Sequence, residues 1–210
     1  FNGSSWVSVT GGQYNGITDD TLIITGVSGS LNNNQYRAVV SGTCSPSVPS
    51  APATLTVNER PEISLQPADV TVCEGLSASF TIATGVTTNP SVQWQVFDGS
   101  LWSDASVAPY SGGTTLSLTA NPVSSSMNGY RFRAIVSGTC SPEDTSNVVT
   151  LTVHELPEVT DPASVTSCEG DTVFFEISTG VTTNPAIQWQ ISVDGISWNN
   201  VSGAVYSGIN

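Results

Sequence analysis

The side chains of this sequence that could form covalent bonds to one another are four cysteines, and they occur in two contexts. Cys73-Glu74-Gly75 is repeated as Cys168-Glu169-Gly170, while Cys44 and Cys140 each close a Ser-Gly-Thr-Cys run. A recurring pair of this kind argues for structural disulfides in an oxidising compartment, because a metal centre needs ligands clustered at short spacing. Other chemistry is poorly supplied. With one histidine, His154, a Ser-His-Asp triad or a multi-histidine metal site is nearly excluded. With no lysine there is no phosphate-loop lysine, Schiff base or lysine-based isopeptide crosslink. The repeated carboxylates are Glu59 with Glu62 and Glu155 with Glu158, in linkers of the form Glu-x-Pro-Glu. Such a pair could contribute oxygens to calcium, which wants six to eight of them. No dense Asp/Asn run supports the ion, and solvated charge beside a stiffening proline is the plainer reading. No acid/base pair, nucleophile or metal cluster is visible, so the chain is read as non-enzymatic and without a cofactor.

Composition narrows the partners. Charged residues make up 10 % of the 210, against roughly 25 % in an average soluble protein. All four cations are arginines and the net charge is −13. Nothing is available to neutralise nucleic-acid phosphates or an anionic membrane surface. No apolar run approaches the roughly 18 residues of a membrane span. Hydrophobic residues at 38 % still suffice for ordinary cores, and 56 residues are Ser or Thr.

The elements that must position these groups are set by an internal repeat. Ala83-Thr84-Gly85-Val86-Thr87-Thr88-Asn89-Pro90-Ser91-Val92-Gln93-Trp94-Gln95-Val96 returns 95 residues later as residues 178–191. Trp6, Trp102 and Trp198 are spaced by 96, as are Tyr14, Tyr110 and Tyr206. A period of that length is a whole domain, not a solenoid unit. Phase assigns residues 1–58 to the second half of one repeat, 59–154 to a complete repeat and 155–210 to the first half of a further one. The chain is therefore expected to be a window of a longer array.

Within each repeat the pattern is all-β. Val149, Leu151 and Val153 alternate with threonines; Ala78, Phe80 and Ile82 form a second inward face, Val92, Trp94 and Val96 a third, and Phe132, Ala134 and Val136 a fourth. Asn2-Gly3, Asp98-Gly99 and Asp194-Gly195 are hairpin signals. Short strands with close turn signals predict a Greek-key β-sandwich.

Glu74-Gly75, Phe80-Thr81-Ile82, Trp94 and Tyr130-Arg131-Phe132-Arg133-Ala134 resemble the B-strand, C-strand and F-strand pattern of immunoglobulin-like domains. Together with Cys-Glu-Gly, Gln-Trp-Gln and Ser-Gly-Thr-Cys, they resemble the tandem immunoglobulin-like repeats of very large Bacteroidota surface proteins, such as gliding-motility adhesins. The resemblance implies that Ile82 and Ala134 stand where an inter-sheet cysteine pair would sit, so that Trp94 packs on an aliphatic core and not on a disulfide, with Ile82, Phe132, Ala134 and Trp189 as further core residues. It puts Cys73 at the A–B turn and Cys140 in the F–G loop, at ends of the sandwich ~25 Å apart for strands of ~8 residues. A disulfide needs Cα atoms within ~7 Å. Either the strand placement differs from this or the bonds join neighbouring repeats; both alternatives are open, and Cys44 with Cys73 is the least favoured pairing. Thr21 and Thr172 match the Asp-Ser/Thr-apolar pattern that the resembled proteins glycosylate on oxygen.

The recurrent Trp6, Trp102 and Trp198 follow the hairpin turn and are expected on an outer strand. They either stack sugars, Trp102 together with Tyr110, or simply cover a sheet edge or pack beside Tyr14, Tyr110 and Tyr206. The pairs Arg131/Arg133 and Glu143/Asp144 are read as exposed, and His154 as a surface linker residue. The leading expectation is a structural and adhesive cell-surface protein, an extended stalk whose partners are neighbouring repeats, lateral copies or a surface glycan. The alternatives are a glycan-binding sandwich module and accessory repeats of a large secreted enzyme.

Overall fold

The computed structural model describes residue 1 and residues 3–202; Asn2 and residues 203–210, Tyr206 among them, lie outside the described residues. Between residues 63 and 154 the strands are β1 (Ile63–Leu65), β2 (Val70–Cys73), β3 (Ala78–Thr81), β4 (Ala83–Thr84), β5 (Ser91–Phe97), β6 (Trp102–Asp104), β7 (Tyr110–Ser111), β8 (Ser117–Ala120), β9 (Arg131–Ser137), β10 (Asp144–Thr145) and β11 (Val149–His154). One sheet has the order β7-β8-β3, and β4, just beyond β3, pairs with β1. The other runs β6-β5-β9-β11-β2, with β10 also on β9. All pairings are antiparallel except β11 with β2, which is parallel. Two sheets whose neighbours are distant in sequence, with the chain switching sheets between β1 and β2, make an immunoglobulin-like Greek-key sandwich.

Alternation decides which side chains face inward. Val149, Leu151 and Val153 are buried, as are Ala78, Phe80 and Ile82 and the run Phe132, Ala134 and Val136; Val92 is half-buried. Trp94 is fully buried, and its indole N–H donates to the Thr115 carbonyl at 2.9 Å, so its one polar atom is satisfied. Its surroundings are not purely aliphatic, which corrects the expectation. The Phe80 ring lies 6.5 Å from it and stacks on Phe132 at 4.5 Å, and Tyr110 meets Phe132 edge-on at 5.9 Å. Phe80 and Phe132 project inward from opposite sheets, so the rings meet in mid-sandwich. Burying each such ring stabilises the fold by roughly 1.5–3 kcal/mol.

Asp98-Gly99 closes the hairpin between β5 and β6. The Asp98 carboxylate accepts from the Ser100 hydroxyl at 2.6 Å and from the Ser100 backbone N–H at 2.9 Å, which holds its pKa below the usual carboxylate value. Gly99 takes the positive φ of +104° that this turn demands. Between β10 and β11 the ladder is interrupted, and the buried Ser146 hydroxyl fills the gap, accepting from the Ala134 N–H at 2.8 Å.

The flanking segments repeat the same registers. Tyr14 pairs with Ile24 as Tyr110 does with Ala120, and Gln35 pairs with Thr54 as Arg131 does with Thr150. Val40 pairs with Val48 as Val136 does with Asp144, and Gln190 pairs with Asn200 as Gln95 does with Asp104. Among the described residues, Leu31 is the buried apolar side chain outside 63–153. Trp189, expected in a core, is half-buried. Residues 155–202 form one two-stranded ladder, Gln190–Ile191 with Asn199–Asn200, and among the described residues no second layer closes over it.

Candidate functional site

Two features stand out from the sandwich. The first is the junction at which the chain enters a repeat. The backbone N–H of Glu59 donates to the Thr88 hydroxyl at 2.8 Å, and that of Glu62 to the Thr87 hydroxyl at 3.2 Å. At the next junction Glu155 donates to Thr183 at 3.0 Å and Glu158 to Thr182 at 2.8 Å. The two threonines of the repeated Gly-Val-Thr-Thr-Asn-Pro block therefore accept from linker amides that no strand pairs. The Glu62 side chain lies over Gly85 and that of Glu158 over Gly180, which takes a positive φ of +54°.

The Ser-Gly-Thr-Cys run closes over the same junction. Thr139 N–H donates to the Thr88 carbonyl at 3.0 Å, and the Asn89 amide donates to the Thr139 hydroxyl at 3.1 Å. A Cβ on Gly138 would sit 2.9 Å from the Thr88 carbonyl oxygen and 3.5 Å from the Pro61 ring. The half-buried Cys140 thiol then donates to the Asn58 carbonyl at 3.4 Å. Cys73 is at the other pole of the sandwich, where it is the register partner of His154, and the Glu74 N–H donates to the His154 carbonyl at 2.9 Å. No two of the four cysteines are bonded to each other within the chain. Along the second sheet, the level of Asp144 (paired with Val136 beside the Cys140 loop) and the level of His154 are ten residues apart, about 30 Å of strand. That distance separates Cys73 from Cys140 by far more than the ~7 Å a disulfide spans.

The second feature is the outer face of β6-β5-β9. Trp102, on the edge strand, packs against Phe97 with centroids 5.5 Å apart, and the Arg133 guanidinium lies 4.3 Å from the Trp102 centroid. Arg133 also donates two hydrogen bonds to the Gln95 side-chain oxygen, at 3.0 and 2.8 Å, while the Gln95 amide donates to Asp104 at 3.2 Å. Arg131 covers Phe97 at 4.6 Å. The first copy repeats the pattern, with Phe1 and Trp6 at 5.6 Å and Arg37 over Trp6 at 4.1 Å.

This arrangement revises several readings of the sequence. Trp102 does not share a surface with Tyr110, because Tyr110 is turned onto Phe132 in the core, and burial pushes its pKa up to about 12. Nor is Arg133 simply exposed, since it is half-buried between Trp102 and Gln95. Asp144 is also half-buried, with its carboxylate accepting from the Ile63 N–H at 2.7 Å and so fixing β1. His154 is the half-buried last residue of β11. Trp198 is 61 % exposed and Trp6 37 %. Thr21 and Thr172 are both exposed, Thr21 donating to Asp20 at 3.1 Å. Among the described residues no three His, Cys, Asp or Glu side chains come together as metal ligands, and Glu59 lies against Gly29.

Two of these roles were missed in the sequence. The arginine–tryptophan pairs were discoverable from Arg37 and Arg133 recurring at the same offset as Trp6 and Trp102. The threonine acceptors stood inside the longest repeated block, but nothing local marks a hydroxyl that serves a linker amide.

Comparison with known proteins adds the following. Residues 64–155 match the model of a domain of unknown function, DUF8696. Over 150 residues the chain is 33 % identical to endoglucanase C of Cellulomonas fimi, covering 70 % of this chain and 13 % of that enzyme. The chain thus spans about an eighth of the curated relative it matches. Among solved structures, a chimeric titin Z1Z2 is 23 % identical, with a TM-score of 0.39 over 48 % of this chain and all of that one. The tandem Ig repeats of Dlar give 23 % and 0.38 over 49 % of this chain and 55 % of that one. Extracellular domains 3–5 of Drosophila OTK give 18 % and 0.40 over 69 % of this chain and 47 % of theirs.

Proposed function

We propose that this chain is a section of an extracellular stalk, a non-catalytic series of immunoglobulin-like repeats on a cell surface of the Bacteroidota adhesin kind. The observation that carries the reading is the identical stitching of both junctions, Glu59 and Glu62 to Thr88 and Thr87, and Glu155 and Glu158 to Thr183 and Thr182. A linker whose amides are held by the next repeat cannot swing as a free tether does, so repeats keep their order and direction along the fibre. The charge balance fits the same role, since a lysine-free acidic surface with abundant Ser and Thr offers little to nucleic acid or trypsin. Lateral copies and surface glycans are its partners, and Thr21 and Thr172 are exposed acceptors for O-linked sugar. Electron microscopy of the unreduced protein from its source tests this. A row of beads at a spacing of ~40 Å, about ten strand residues plus a linker, is expected; a compact particle overturns it.

The match to a stretch of an endoglucanase favours a second reading, in which such repeats are accessory segments of a large secreted enzyme. A few sandwich lobes around one larger body in the same micrographs would select it. A glycan site on Trp102 is the weaker alternative, because Phe97 and Arg133 already pack against the ring.

A further inference from the structure

The two kinds of cysteine contact equivalent residues of successive linkers, Cys73 at His154 and Cys140 at Asn58. Cys73 is the register partner of His154, and Glu74 N–H donates to the His154 carbonyl at 2.9 Å. The counterpart of His154 at the preceding junction is Asn58, 96 residues earlier. Asn58 offers its carbonyl to the Cys140 thiol at 3.4 Å. Equivalent backbone carbonyls are thus met by the Cys-Glu-Gly turn of their own repeat at residue 154 and by the Ser-Gly-Thr-Cys loop of the repeat that follows at residue 58. The threonine–amide bonds are the same at both junctions, so the position seen for Cys140 at residue 58 transfers to the junction at residue 154. The 3.4 Å contact on the Asn58 oxygen and the 2.9 Å contact on the His154 oxygen fall on equivalent linker positions, which puts both cysteines at one junction, where a disulfide would need their Cα atoms about 4.4–6.8 Å apart. Inside one repeat, by contrast, the two sit about 30 Å apart along the strands.

We propose that successive repeats are covalently joined, the cysteine of each Cys-Glu-Gly turn pairing with the Ser-Gly-Thr-Cys cysteine of the next repeat. The proposal rests on the array reading above. The oxidant is a disulfide donor. The exposed Cys73 thiolate attacks it and expels one thiol, forming a mixed disulfide. The half-buried loop cysteine, as thiolate, then attacks the Cys73 sulfur and expels the second thiol. Two protein thiols are oxidised, one disulfide is reduced to two thiols, and the two protons the protein thiols lose end on the leaving thiolates.

The test extends the full 210-residue chain with a copy of residues 115–154 after Asn210, the counterpart of Thr114, which supplies the loop that follows the junction at residue 154. The protein is oxidised with oxidised glutathione and mapped by mass spectrometry without reduction. The expected product is a monomer in which Cys73 is bonded to the appended cysteine. Cys140→Ser leaves that bond unchanged and Cys73→Ser abolishes it. A Cys73–Cys140 bond overturns the proposal, as does a folded chain whose Cys73 carries only glutathione. If the extended chain fails to fold, the same mapping on the native protein from its source decides, by whether Cys73 is linked to the next repeat's loop, linked to Cys140 or free. Electron microscopy judges the array reading separately, so beads without crosslinks refute only the disulfide, and crosslinks in a compact particle refute only the stalk.

Discussion

The guanidinium of Arg133 lies 4.3 Å from the Trp102 ring centroid, and Arg37 takes up the same station over Trp6 at 4.1 Å. In the complete repeat the pair joins the edge strand β6 to β9 across β5. There Gln95 grips the arginine from β5 with two hydrogen bonds. Such a contact at a partly exposed site contributes about 0.5–1 kcal/mol. Arg133→Ala should lower the unfolding free energy obtained from urea denaturation by that amount. Arg133→Lys should recover little, because a point charge cannot reproduce the planar fork on Gln95 and the ring. A double-mutant cycle with Trp102→Ala that shows no coupling would refute the pairing.

Replacing Thr88 by valine keeps the volume and removes the acceptor for the Glu59 amide. Loss of one such bond costs about 1 kcal/mol, and the cost should fall locally. Hydrogen exchange should speed up at the Glu59 amide while the amides of β5 and β9 keep their protection. Gly138→Ala should do the same by a steric route, since its Cβ would press on the Thr88 carbonyl. If the Glu59 amide exchanges at an unchanged rate in both variants, the clamp is not what holds the linker.

Tyr110 gives the fold an alkaline limit. Burial first, then the charges of Tyr130 and Asp98, raise its pKa from 10.0 to about 12. A group whose folded pKa is raised contributes stability that is complete below its unfolded value and is lost as pH climbs through the folded one. Melting temperature should therefore be flat up to about pH 10, where a free phenol ionises, and should fall between there and about 12. Tyr110→Phe should shallow that fall. A phenolate absorbance change for Tyr110 centred near 10 would contradict the burial argument.

Period-two alternation placed Phe80, Trp94, Phe132 and Leu151 inside correctly, because a strand turns every second side chain to one face. It could not say which rings would touch, and Trp94 proved to neighbour Phe80 because that depends on how two sheets superpose. The Trp102–Arg133 contact has the same origin. Residues 31 apart meet only once β6, β5 and β9 are in register. Asp144 looked like surface charge in a turn, yet it reaches the Ile63 amide 81 residues away. Tyr110 shares a period with Trp102, and that common period suggested a common surface which the fold does not provide.

The parallel rungs that bind Val70–Cys73 to Leu151–His154 lie between the strand near the entrance of a repeat and the strand at its exit. Traction along the chain pulls these neighbours in opposite directions along their own length. The rungs are then loaded together in shear, whereas the antiparallel hairpin of β5 and β6 would open one rung at a time if peeled. Rupture requires several hydrogen bonds to fail at once, so the toughness of the unit is concentrated where its second and last strands run side by side.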